Sequence, residues 1–199
     1  MAVIQIPNLP VASTLVGDEE LEIVQAGVSC RTTTQDVANL AVPLVYFAGY
    51  YGSFCNTVSQ TNAGTTSANV VTFDTTTTGD GVSLTAGTRL TAANAGVYNL
   101  QFSMQVSKSD DGNDDIDIWL RLNGSNVSNT NSRVTLTATG DTKLISRNYV
   151  VTLAASGYVE LVWSSADINM SLPAYAGGSN PSRPAIPSVI ATLTLVQGT

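Results

Sequence analysis

Six acidic and amide side chains crowd one short stretch of the chain: Asp110, Asp111, Asn113, Asp114, Asp115 and Asp117, with Gly112 among them. Closely spaced carboxylates around a glycine can wrap a hard cation such as calcium through oxygen ligands, and Asp110, Asp111, Asp114 and Asp115 are the residues that would do so. Their spacing does not follow the D-x-[DN]-x-[DN]-G order of an EF-hand loop. The plainer reading is a solvated turn whose charges keep a strand edge from aggregating. Other chemistry is harder to find. The chain has no histidine, which excludes Ser-His-Asp and Cys-His arrangements and removes the commonest zinc ligand. Neither GxxxxGK[ST] nor GxGxxG occurs, so a nucleotide cradle has no support. Glu160 and Asp167 could be put forward as a glycosidase-like pair, but such a pair must be held across a cleft, and scattered surface acids explain them better. No enzymatic activity is expected, and no cofactor.

The elements that must position these residues are strands. Tyr98, Leu100, Phe102, Met104 and Val106 alternate with Asn99, Gln101, Ser103 and Gln105, and Ile116, Ile118, Leu120 and Leu122 resume the period of two after the acidic interruption. That period belongs to strands with one buried face, and the two runs predict a long antiparallel hairpin packed on a second layer. Shorter strand-like runs flank them. They include the aromatic run Val45–Tyr51, Asn69–Phe73, Leu144–Leu153, Tyr158–Trp163 and Val189–Val196, with Asn123-Gly124 as a hairpin turn and Pro173–Pro187 as a surface loop. Trp119 and Trp163 fall on strand faces that alternate with core positions. Trp119 is read as part of a subunit interface, with a sugar-stacking platform as the other functional reading and burial in the core as the plain one.

Residues 1–43 differ from the rest. Glu20–Gln25, Ala26-Gly27 and Val28–Arg31 predict a small hairpin, and Thr33 with Asp36 three positions on predicts a capped helix of about two turns that Pro43 ends. This arm carries five acidic residues against Arg31, a net −4, while residues 44–199 hold seven basic and ten acidic residues, a net −3. Too apolar-poor to make its own core, the arm is expected to dock on something larger, and Leu9, Leu21, Ile23, Val24 and Val28 are its candidate contacts.

Composition narrows the classes further. A net charge of −7 with only 8 scattered basic residues argues against a phosphate-binding surface. No apolar run is long enough for a membrane span, and the start of the chain lacks the charge and apolar pattern of a secretory signal. Cys30 and Cys55 read as reduced thiols of a protein made in the cytoplasm. Tyr46, Phe47, Tyr50 and Tyr51 together with an outward Trp119 are more apolar surface than one sandwich covers, so a homotrimer is expected, with Tyr46, Tyr50 and Trp119 at its interface.

From Val45 to Gln197 the chain resembles the jelly-roll heads of the tumour-necrosis-factor and complement-component superfamily. The resemblance rests on Val71-Thr72-Phe73-Asp74, Gly96-Val97-Tyr98-Asn99-Leu100-Gln101-Phe102 and Leu120-Arg121-Leu122-Asn123-Gly124. It implies an all-β, TNF-like jelly-roll sandwich in homotrimers whose protomers meet along apolar strand faces. The arm is similar to N-terminal segments of tailed-phage virion proteins with variable β-rich ends. The combination implies a non-enzymatic virion protein, made in the host cytoplasm, that decorates or cements the capsid or neck through residues 1–43. A receptor-binding head of a short tail fibre, recognising a host glycan or protein, is the alternative; no coiled-coil or β-helical shaft fits in 43 residues, which favours the capsid or neck.

Overall fold

The computed structural model describes residues 16–45 and 49–198, and divides the chain into two compact units, Met1–Ala48 and Gly49–Thr199. In the first unit, β1 (Glu20–Gln25) pairs antiparallel with β2 (Val28–Thr33) through a turn at Ala26 (φ 52°) and Gly27 (φ 81°). Helix α1 (Thr34–Val45) follows. The capping predicted from Thr33 and Asp36 is present: each backbone N–H donates to the other's side chain, at 3.2 and 3.1 Å. Pro43 does not end the helix, which runs on to Val45. Proline fixes φ near the helical value, so it can sit inside the last turn, where it forgoes one backbone hydrogen bond and no long run of helix follows to be broken. The predicted stop at Pro43 is therefore corrected.

The second unit is built almost wholly of strands: β3 (Tyr51–Asn56), β4 (Gln60–Thr61), β5 (Asn69–Val70), β6 (Thr75–Asp80), β7 (Val82–Thr85), β8 (Arg89–Ala92), β9 (Gly96–Lys108), β10 (Asp114–Leu122), β11 (Ser125–Asn126), β12 (Ser132–Leu136), β13 (Thr142–Leu153), β14 (Tyr158–Ser164), β15 (Met170–Leu172), β16 (Gly178–Ser179), β17 (Ser182–Arg183) and β18 (Val189–Gly198). Two antiparallel sheets form the body. One runs β6-β3-β18-β9-β13, with β15 and β4 added beyond the end of β9; the other runs β7-β8-β14-β10-β12, with β5 against β14 and β11 against β10. They pack as an all-β, jelly-roll-like sandwich.

The predicted long hairpin does not form. β9 pairs with β18 and β13, and β10 pairs with β14 and β12, so these two consecutive strands belong to opposite sheets. Their connection, 109–113, crosses from one layer to the other. Alternation reports that a strand has one buried face; it carries no record of whether the next strand lies beside it or across the core from it. Here Tyr98, Leu100, Phe102, Met104 and Val106 of β9 and Ile116, Ile118 and Leu120 of β10 all enter the same core. Trp163 lies there too, at 1% exposure, which settles its plain reading.

The open side of the sandwich between β12 and β13 is closed by polar contacts. Tyr149 Oη donates to the Thr130 carbonyl (2.8 Å) and Arg147 Nε to Ser132 Oγ (3.1 Å). At the other side Tyr50 packs on the core with its ring over Gly81, whose φ of 67° and lack of a side chain leave the space that any Cβ would take from that ring. Among the described residues no helix is long and apolar enough to cross a membrane.

Candidate functional site

The acidic connection between β9 and β10 is organised by a cation that the chain supplies itself. Lys108 ends β9 on its buried face and is 1% exposed. Its Nζ donates to the carbonyls of Asp111 (3.1 Å) and Gly112 (2.8 Å) and to the Asp114 carboxylate, and lies 3.5 Å from Asp110 Oδ1. Burial alone would pull the lysine pKa down; the hydrogen bond and charge of Asp114 and the charge of Asp110 outweigh it and hold the group above its ordinary value. Of the four residues named for calcium, the structure brings together two. Asp110 and Asp114, with Asp167, place one carboxylate oxygen each within 4.8 Å of one another. Asp111 contributes its carbonyl to Lys108, and Asp115 turns away to Thr135 Oγ1 (2.6 Å) and Arg133 (3.4 Å). The ammonium stands where a metal would otherwise neutralise the loop, which favours the charged-turn reading.

Trp119 lies on the outer face of the β10 sheet, beside Val162 of β14. Its indole N–H donates to Asn126 Oδ1 (2.8 Å), which also accepts from Arg121 Nε (2.9 Å), so the ring is fixed. Two residues earlier, Asp117 takes a two-pronged contact from Arg133 (3.1 and 2.8 Å) and a hydrogen bond from Asn131 Nδ2 (3.2 Å). The Arg133 hydrogen bonds hold the Asp117 carboxyl below its ordinary range against the opposing pull of burial. Two adjoining clefts, of about 550 and 380 Å³, share Asp117, Trp119 and Ser164.

The outer face of the other sheet has a different character. Register aligns its outward side chains in rows: Cys55, Ile190, Ser103 and Ser146; then Ser53, Thr192, Gln101 and Asn148; then Tyr51, Thr194, Asn99 and Val150; then Gln105 and Leu144. None of these on β13, β9, β18 and β3 is charged, and the Tyr51 row reaches a charge only at Asp80 on the edge strand β6, whereas the outer face around Trp119 carries Asp115, Asp117, Arg121 and Arg133. Leu144 (64%) and Val150 (68%) stand open to solvent on the edge strand β13, with Ile190 and Tyr51 also exposed. Asn99 Oδ1, in the midst of this face, is buried and accepts no hydrogen bond. A shallow groove of about 640 Å³ runs over Gln101, Ser103, Ser146, Asn148, Ile190 and Thr192, with the exposed Arg147 also on its wall.

Of the three residues expected at a trimer interface, the two that are described do not share a surface. Trp119 is on the outer face of the β10 sheet, Tyr50 packs on the core beside the β3 sheet, and Tyr46 lies outside the described residues. Sequence reading missed the charge-poor face because Ser, Thr, Asn and Gln at alternate positions read simply as solvent-facing; the signal was the missing charge. In the arm, Leu21, Ile23, Val24 and Val28 are exposed, Val24 to 72%, and Leu9 lies outside the described residues. Glu160 is tied to Arg89 (3.3 Å), while Asp167 faces Asp110 and Asn169. The free thiols Cys30 and Cys55 fall in separate units.

In comparisons with protein-family models and with curated proteins, nothing matches this chain.

Proposed function

We propose that this chain is a non-enzymatic structural protein of a tailed-phage virion, a homotrimer seated on the capsid or neck through its arm. The observation that carries the reading is the charge-poor, apolar-studded outer face of β13, β9, β18 and β3, where the outward rows are uncharged and Arg147 and Asp80 stand only at the two edges. Interfaces are marked less by hydrophobicity than by depletion of charge at their centre. In a chain of net −7, a charge-poor face is also where copies can approach without setting like charges against each other. Four strands about 4.8 Å apart, over roughly eight residues at 3.3 Å each, make a face of about 20 by 25 Å. That is of the same order as the roughly 800 Å² one partner gives to a standard interface. A jelly-roll body with such a face is what the resemblance to tumour-necrosis-factor and complement heads calls for, and the interface belongs there rather than at Trp119.

The arm supports the second half of the reading. A two-stranded ribbon is marginal on its own in water, and every residue of β1 is exposed. Its edges, which pair with no further strand among the described residues, and its exposed Val24 and Val28 suit strand addition to a capsid, neck or tail protein. Deleting residues 1–42, so that the chain starts at Pro43, is expected to leave the trimer and its melting temperature nearly unchanged while abolishing incorporation into particles. Unfolding of the body in that variant would make the arm part of the sandwich and move the docking site elsewhere.

A further inference from the structure

We infer that the cleft beside Trp119 binds a neutral carbohydrate. The site lies on the outer face of the sheet opposite to the assembly face, and the inference does not rest on how the copies associate.

A sugar ring offers two things to a protein: an apolar face of C–H bonds and a rim of neighbouring hydroxyls. The first is met by an aromatic ring held still, and the second by planar polar groups that can contact two hydroxyls at once. Both are present within one strand repeat. Trp119 is half-buried, with its indole N–H committed to Asn126, so the ring presents its surface without a polar atom of its own left to satisfy. Asp117, one outward position away on β10, holds its carboxylate in a plane set by Arg133 and Asn131. The clefts on either side meet at these two residues and Ser164.

The walls are built before any ligand arrives. On one side the buried Thr130 accepts from the Leu120 N–H (3.1 Å) and donates to the Val127 carbonyl (2.8 Å), which pins the loop carrying Asn131. On the other, buried Asn62 donates to the carbonyls of Ser165 (3.0 Å) and Asp167 (2.9 Å) and accepts from Asn69 (2.9 Å), which pins the loop at Thr65–Ala68. A preformed concave site with one apolar platform and a few fixed polar groups is the ordinary form of a small-ligand site.

Charge chooses the occupant. A protein partner would have to bury Asp115, Asp117 and Arg133, and interface centres are depleted of such residues. The cleft is lined by Asp114, Asp115 and Asp117 against Arg133, and Lys108 is sequestered by its own loop. The balance is negative, so acidic sugars are repelled and neutral ones are not.

The test is saturation-transfer NMR on the full chain with maltohexaose, cellohexaose and chitotetraose as neutral probes and sialyllactose as the acidic one. Transfer to at least one neutral probe is expected and none to sialyllactose. Trp119→Ala should weaken the binding at least tenfold. Asn131→Ala, which only loosens Asp117, should weaken it severalfold, so the claim stays testable if the tryptophan variant fails to fold. Leu144→Asp, on the assembly face, should leave the affinity per chain unchanged. No transfer to any neutral probe, preference for sialyllactose, or full binding by both cleft variants would overturn the assignment.

Discussion

Lys108 gives the acidic loop its shape with no help from outside, and the consequence can be measured at a single side chain. Chelator is expected to leave the melting temperature unchanged, because the carboxylates of Asp110 and Asp114 already face an ammonium. Lys108→Met should lower it by several degrees, since removal of one partner leaves the others uncompensated; calorimetry of both samples decides this. From sequence, a lysine at the end of a strand reads as solvent-exposed; position 108 continues the period of two from Tyr98 to Val106, and the charge of its side chain hid that it shares the buried face. Glu19 supplies a second residue-scale prediction. Its carboxylate accepts from Thr34 Oγ1 (2.5 Å) and from the N–H groups of Val16 (2.6 Å) and Gly17 (3.0 Å), and these contacts hold its pKa at about 2 against an ordinary 4.5. A carboxyl lowered on folding stabilises above its unfolded value and loses that contribution as pH falls through the folded one. Protection of the Val16 and Gly17 amides, taken relative to their unfolded exchange rate at each pH, should hold down to about pH 4.5 and fall between there and pH 2; in Glu19→Gln the same step should be absent.

At the scale of elements, what local sequence determines was legible and what distant pairing determines was not. The arm hairpin and the capped helix start depend on neighbours within a few residues, and Ala26-Gly27, Thr33 and Asp36 signal them directly. The buried faces of β9 and β10 were legible for the same reason. Which sheet each strand joins depends on partners such as β18, more than 80 residues further along the chain from β9, and periodicity is silent about that. The core they share should respond alike on both sides: Leu100→Ala in β9 and Leu120→Ala in β10, each fully buried, are expected to cost about 3 kcal/mol each by urea unfolding. A value below about 1 kcal/mol for either would mean that its strand does not face the core as described.

For the whole molecule, the two broad faces of the sandwich are proposed to divide the work. The charge-poor face of β13, β9, β18 and β3, with Leu144, Val150 and Ile190 exposed on it, is proposed for association, and the charged face around Trp119 with its cleft for ligand. Of the aromatic residues that suggested an assembly surface, Tyr51 and Trp119 stand on different sheets and Tyr46 and Phe47 lie outside the described residues, and the proposed interface moves to the polar alternation. Light scattering on the full chain at micromolar concentration tests this division most directly. The wild type should give three times the protomer mass of 20.7 kDa, and Leu144→Asp with Val150→Asp should give one, with the β-sheet circular dichroism retained. A single protomer mass for the wild type, or a trimer that survives the double substitution, would contradict it.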